Sequence, residues 1–269
     1  MINFYNALKR RFSHRYRGDE RVVTRLHELG KNGVPIFIPC FNNVTYCRSM
    51  YRQLLQFGKT DIVFIDNNST DNEMISFLEA QDVLSIRLNA NLGPRALIAY
   101  RRYFEALPSY FCLSDPDLIL NPDMPNSFVE DLLALSERSK FGKVGLALSI
   151  DDADKMRETT LKIVGTSYNI IEWEKQYWIH RYQDDIIEAP VYVASIDTTF
   201  ALYNKKYVTA RTGRGFYRAL RVAGKYTARH DPWYKDRLIS DLEADRYSRL
   251  QLFSTSLHNF DAERNARDF

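Results

Sequence analysis

Between residues 34 and 123 the chain alternates short apolar runs with stretches of helical periodicity. The first run, Val34 to Phe41, ends at Asn42-Asn43, and an amphipathic helix is predicted from Val44 to Phe57. A second, Asp61 to Ile65, ends at Asp66-Asn67-Asn68, and Thr70 or Asp71 can cap the helix that follows. A third, Val83 to Leu88, leads into Asn89, Asn91 and Arg95 and then a helical stretch from Ala96 to Leu107. A fourth, Tyr110 to Leu113, runs into Ser114, Asp115 and Asp117. Such alternation predicts βαβ units and a parallel sheet. Parallel strands share a direction, so all four polar ends should meet on one rim, where open α/β sheets take their ligands.

The paired aspartates carry the most chemistry. Pro116 fixes φ near −65° and cannot continue a ladder, so the strand should stop there and leave both acids facing a cleft. Two hard oxygen donors close together suit Mg²⁺ or Mn²⁺ carrying substrate phosphates, because these ions keep few protein ligands and take the rest from water and phosphate. The plainer alternative is an Asp-Pro turn that caps the next helix. Three further polar strand ends on the same rim favour a site.

Beyond Ile150 the pattern is less regular. Ser149 to Asp154 is a polar breaker whose acids read as a solvated loop. Tyr168, Trp173, Tyr177, Trp178, His180 and Tyr182 form an aromatic cluster that fits an acceptor floor or core packing equally. Pro190 to Tyr203 has strand character and carries Asp197 among apolar neighbours. From Thr198 to Arg229 there is no acid but eight basic residues, a set that suits phosphate groups or a solvated basic face. The stretch closes on His230-Asp231-Pro232-Trp233.

Composition adds bounds. With 269 residues, 45% of them hydrophobic, the chain can bury one large core, or one core with a small appended lobe. Residues 1–31 hold eight Lys or Arg against three acids, +5 in a chain of net +3. With Phe4, Tyr5, Leu8 and Phe12 at helical spacing, this start reads as a basic amphipathic helix, packed on its own domain or lying on an anionic membrane surface. No nucleic-acid-binding motif accompanies the charge. Cys40, Cys47 and Cys112 show no metal spacing and read as reduced core residues of a cytoplasmic protein.

Taken together, P-C-F-N-N from Pro39, I-D-N-N-S-T-D around Asp66, N-L-G-P-R from Asn91 and L-S-D-P-D-L around Asp115 resemble the nucleotide-sugar half of A-type glycosyltransferases, closest to the family-2-like group that builds bacterial surface glycans. The resemblance is strong over residues 34–123 and weaker to about residue 234. It implies an α/β fold with a Rossmann-like nucleotide-binding half (32–123) joined to a mixed-sheet acceptor half (124–235), flanked by the N-terminal segment (1–31) and a C-terminal helix and tail (236–269). It implies a nucleotide-sugar donor contacted by Pro39, Asn42, Asp66, Asn67, Asn91, Arg95, Ser114 and Asp115. The divalent ion would sit on Asp115 and Asp117, with His230 completing the metal or pyrophosphate site. Where the family often has a second acid and a Gly, this chain has Asn67 and Asn68. The acceptor would be a hydroxyl of a glycan or lipid-linked glycan, with Asp197 as the base of an inverting reaction. The family's usual adjacent Glu-Asp base motif is not evident before His230, so a retaining reaction stays open. The rival readings are a nucleotidyltransferase, which calls for a Gly-rich phosphate loop near the first strand, and a non-catalytic subunit of a glycan-assembly complex.

Overall fold

In the computed structural model, which describes residues 19–29, 33–158, 160–163, 166–183, 187–212 and 214–250, apolar strands and helices follow the predicted order through the first half. Helix α1 (Glu20–Glu28) precedes β1 (Ile36–Cys40), α2 (Val44–Gln56), β2 (Ile62–Asp66), α3 (Asn72–Leu78) and β3 (Leu84–Arg87). The stretch expected as one helix is two, α4 (Ala96–Ala99) and α5 (Arg101–Ala106), because Tyr100 is extended with ψ 119°. The break turns Tyr103 into the core, where its hydroxyl accepts from the Asp19 N–H at 3.1 Å. Strands β4 (Tyr110–Leu113) and β5 (Leu118–Leu120) follow, then α6 (Phe128–Ser139) and β6 (Lys143–Leu148).

The second half contains a hairpin of β7 (Thr160–Ile163) and β8 (Thr166–Asn169), helix α7 (Ile170–Lys175), β9 (Arg181–Tyr182), β10 (Val191–Ser195), β11 (Ala201–Asn204), β12 (Arg218–His230) and α8 (Asp241–Leu250). The run from Pro190 to Tyr203, which has strand character in the sequence, is two strands that lie apart in the sheet, with Asp197 between them. The predicted basic helix through Phe4 and Phe12 falls outside the described residues, as does the tail beyond residue 250. Among the described residues no helix is long and apolar enough to cross a membrane.

One ten-stranded sheet runs through both halves in the order β3-β2-β1-β4-β11-β6-β12-β10-β9, with β5 on the end of β12. Strands β3, β2, β1 and β4 are parallel, and β11 enters antiparallel between β4 and β6. The fold is therefore α/β, a Rossmann-like half joined to a mixed half, as the sequence leads one to expect. Each face is covered. Ile36, Ile38, Ile62 and Phe64 pack with α2, α3 and α6, while Phe37, Val63 and Ile65 pack with α1, α4 and α5. Burial on both faces is why these strands read as unbroken apolar runs.

Strand β12 positions the site. Its first part pairs with β10 and β6, and its register then shifts between Val222 and Thr227. Gly224 sits there at φ 62°, a left-handed conformation that glycine adopts without a Cβ penalty, and its carbonyl accepts from the Thr227 hydroxyl at 2.9 Å. Beyond this bulge Ala228 to His230 pair with β5. Gln53 of α2 holds β5 from the other side, accepting from the Leu120 N–H at 2.7 Å and donating to the Leu118 carbonyl at 3.1 Å.

Candidate active site

The site grows from the end of β4. The Ser114 N–H donates to the Phe37 carbonyl at 3.0 Å, prolonging the pairing with β1, and the Asp115 N–H turns to the Thr198 carbonyl at 3.0 Å. The Asp115 Oδ2 accepts from the Thr198 hydroxyl at 2.6 Å. Pro116 ends the strand, and the Asp117 carbonyl accepts from the Asp231 N–H at 3.0 Å. Leu118 pairs with His230, which brings the His230 Nε2 to 3.6 Å from the Asp117 Oδ2. The imidazole also packs at a tilt against Trp233, with ring centroids 4.5 Å apart.

These residues face a cleft of about 330 Å³ lined by Pro39, Asn67, Asn91, Asp115, Asp117, Asp197 and His230, together with Tyr46, Thr198, Trp233 and Tyr247. Residues more than a hundred positions apart therefore share one wall. Three carboxylates line the cleft and no described Lys or Arg is among its lining residues, Arg95 standing at its rim against Asp197. Burial raises the Asp115 carboxyl above the ordinary range and the Asp117 charge adds to this. Burial likewise raises Asp117, helped by Asp231. Burial pulls His230 down to about 4 against the charges of Asp115 and Asp231, so its ring is neutral at neutral pH.

This donor set fits a divalent cation. The Asp117 Oδ1 and His230 Nδ1 are buried without a hydrogen-bond partner from another residue. A cation beside Asp115 and Asp117 would offset both the burial and their mutual repulsion. Among the described residues no three His, Cys, Asp or Glu side chains are arranged as a ready-made metal cage. An ion of the Mg²⁺ type takes only one or two protein carboxylates and completes its shell with phosphate and water, so Asp115 and Asp117 are the residues that could hold one.

Four of the expected donor contacts do not line this cleft. Asp66 is only 1% exposed; its Oδ1 accepts from the Ser69 N–H at 2.8 Å and its Oδ2 lies 3.7 Å from the Arg87 Nε. Asn42, left-handed at φ 51°, accepts from the Thr70 and Asp71 N–H groups at 2.8 and 2.9 Å. Asn42 ties the end of β1 to the turn after β2, while Asp66 braces that turn and faces Arg87 of β3, roles that strand ends alone do not distinguish from ligand contact. Ser114 is fully buried and donates to the Asp115 carbonyl at 2.9 Å. Arg95 stands at the rim, ion-paired with Asp197 and stacked 5.2 and 5.3 Å from the Phe216 and Tyr217 rings. Asn67 and Asn91 do reach the cleft wall; the Asn67 Oδ1 accepts from the Leu92 N–H at 3.0 Å, and the Asn91 Nδ2 is buried without a partner.

The basic stretch after Thr198 does not converge on the cleft. Lys205 donates to the Glu105 and Leu107 carbonyls, Arg221 is buried against Glu174, and Arg229 pairs with Asp236. The aromatic cluster of residues 168–182 packs largely on itself and on Tyr192, with Tyr168 and Trp173 centroids 5.1 Å apart and Trp178 and Tyr192 5.4 Å apart. Tyr46, Thr198 and Tyr247 escaped the sequence reading. Thr198 could have been found, since it follows Asp197; Tyr247 arrives on α8, and no local pattern marks it.

No protein-family model matches the chain, and no curated protein matches it either. Among solved structures, residues 1–349 of Staphylococcus aureus TarS superpose with 13% identity and a TM-score of 0.41, covering 87% of this chain and 68% of that one. The same protein with UDP-GlcNAc gives 12% identity and 0.41, covering 87% and 69%. A Bacillus anthracis protein described as a glucose-1-phosphate thymidylyltransferase, solved with sucrose, gives 14% identity and 0.41, covering 84% and 99%.

Proposed function

We propose that this chain is a metal-dependent glycosyltransferase that takes a sugar from a nucleoside-diphosphate donor and passes it to a hydroxyl of a glycan or lipid-linked glycan. One observation carries the reading: two carboxylates at the end of a central strand face a cleft whose described lining has no Lys or Arg. A diphosphate entering there would be repelled by ionised carboxylates, and a cation bound with it would offset that repulsion. Asp115 and Asp117 would hold Mn²⁺ or Mg²⁺, and the neutral His230 ring stands beside them as a further donor. Bound there, the ion supplies Lewis-acid stabilisation of the leaving diphosphate.

The protein groups do the rest. Asn67 and Asn91 offer amide contacts to the donor from the β1–β4 side, and Trp233 and Tyr247 wall off water. In an inverting transfer the acceptor oxygen bonds to the anomeric carbon as the bond to the diphosphate oxygen breaks. The acceptor proton passes to Asp197, which Arg95 orients. The nucleotidyltransferase alternative is less well supported, because the turn after β1 passes through Phe41, Asn42 and Asn43 and contains no glycine.

The test is a thermal-unfolding panel of nucleoside diphosphates and nucleotide sugars with and without Mn²⁺. At least one should raise the midpoint only when metal is present. Asp117→Asn should keep the fold and abolish the metal-dependent rise. A variant that bound donor and metal as well as the wild type would remove the pair from the site.

A further inference from the structure

Behind the cleft, a lysine is buried where an apolar side chain would cost less. Lys143, at the start of β6, is 3% exposed. Its Nζ donates to the Ile196 carbonyl at 3.0 Å and lies 3.6 Å from the Phe216 ring centroid and 5.0 Å from that of Tyr203. Ile196 is the residue before Asp197, and its N–H donates to the Tyr217 carbonyl at 3.1 Å. The turn that follows is fastened at two further points. Arg95 pairs with Asp197, and the Thr198 hydroxyl and carbonyl hold the Asp115 carboxylate and N–H.

We propose that Lys143 is a positioning residue for the cleft: its ammonium, bonded to the Ile196 carbonyl and covered by Phe216, holds the turn that presents Asp197 and Thr198 to the substrate. The proposal rests on the glycosyl-transfer reading for the meaning of that turn, and on geometry alone for the turn's dependence on Lys143. A methionine would fill similar space without desolvating a charge, so packing does not account for the lysine. Phe216 is shared: its ring centroid lies 3.6 Å from the Lys143 Nζ and 5.2 Å from the Arg95 guanidinium carbon. The two cations thereby act on consecutive residues, one through the backbone of Ile196 and one through the side chain of Asp197.

The setting also makes the hold sensitive to pH. Burial pulls Lys143 down to about 7, with Asp197 opposing and Arg95 adding to the depression. The charged and titratable groups around it are Asp197, Arg95 and Tyr203, with Lys140, Tyr207 and Arg218 bordering the small cavity beside it. The ammonium is therefore lost as pH rises through about 7.

The experiment compares wild type with Lys143→Met and Lys143→Arg by amide hydrogen exchange, Mn²⁺-dependent nucleoside-diphosphate binding, and turnover of a nucleotide sugar across pH. In Lys143→Met, exchange over residues 196–199 should accelerate about tenfold or more while β1 is unchanged. Its nucleoside-diphosphate affinity should stay within about twofold of wild type, and its turnover should fall about tenfold with loss of the inflection near neutral pH. Lys143→Arg, which cannot deprotonate in this range, should keep most turnover and also lack the inflection. Unchanged exchange at residues 196–199 in Lys143→Met overturns the proposal, as does a turnover profile identical to wild type. A wild type that binds no nucleoside diphosphate in any condition overturns the glycosyl-transfer reading instead, and the exchange comparison then decides the role of Lys143 by itself.

Discussion

From Ile36 to Leu113 the parallel strands stop at one rim, and the side chains there are largely spent on bracing that rim: Asp66 on Ser69, Asn42 on Thr70 and Asp71, Asn67 on Leu92. From Lys143 to His230 the strands change direction and partner, and the residues that reach the cleft arrive one at a time, Asp197 after β10 and His230 at the end of β12. The first half makes a stable edge from neighbours in sequence. The second half makes contacts across it from far away, by way of the Gly224 bulge and buried charges.

If that division holds, the largest effects on chemistry should come from single residues of the second half. Asp197→Asn should leave nucleoside-diphosphate affinity intact and lower turnover by about 10²–10⁴-fold, the usual worth of general base catalysis. Paired calorimetry and transfer assays would check this, and near-normal turnover would remove Asp197 as the base. NMR of the product would then decide the route: inversion of the anomeric centre supports a base-assisted transfer, and retention excludes it.

The next effect concerns how the second half stands at all. Glu174 on α7 and Arg221 on β12 form an ion pair at 3% and 5% side-chain exposure, with the guanidinium 4.2 Å from the Tyr177 ring and its Nε donating to the Ser195 carbonyl at 2.8 Å. Glu174→Gln strands the Arg221 charge and should cost about 3–5 kcal/mol in urea unfolding. Replacing both, Glu174→Leu with Arg221→Met, should cost much less. A similar cost in the two variants would mean the pair is held by something other than charge.

A smaller effect is expected in the first half. Asp66→Ala removes the acceptor of the Ser69 N–H inside the turn and should destabilise the fold by about 1–3 kcal/mol. Donor affinity should change only as far as the rim loosens, so binding measured well below the unfolding transition should stay close to wild type. A large loss of affinity with unchanged stability would return Asp66 to the ligand.

A last effect is in the pH dependence of stability, where the cleft groups oppose one another. Folding raises the Asp115 and Asp117 pKa values, so the native state holds more protons than the unfolded one, and stability falls as pH rises above the ordinary carboxylate range. Folding lowers His230 to about 4 from 6.5, so stability rises with pH across that window. Denaturant midpoints taken from pH 4 to 6.5 should therefore fall more steeply in His230→Gln than in wild type. In Asp115→Asn with Asp117→Asn they should rise. Parallel curves for all three proteins would show that these groups do not change protonation on folding.

The contrast also explains what the sequence made legible. The Rossmann-like order and the carboxylates at Asp115 and Asp117 follow from apolar runs that end in polar residues, a signal contained in a dozen positions at a time. Whether a polar residue at a strand end points into the cleft is not contained there. Asp66 and Asp115 both follow apolar strands, yet one turns back on Ser69 and the other faces Asp117 and Thr198. The difference lies in which loop comes to rest beside each: for Asp115 it is the turn at Thr198, more than eighty residues later. Tyr247 lies further still along the chain, and a lone tyrosine on a polar helix carries no mark of the wall it completes.

The place of β12 in the sheet has a consequence for biosynthesis. It is the last strand among the described residues, yet it lies inside the sheet against β6, β10 and β5. A chain emerging from the ribosome can assemble β1 to β4 from near neighbours, but loop closure delays contacts between distant segments. Until residues 218–230 emerge, β6, β10 and β5 expose unpaired edges and the Asp115–Asp117 turn lacks His230. Synthesis and completion of the cleft are thus tied to the same late strand, and any arrest before it leaves a rim without a site and an edge open to aggregation.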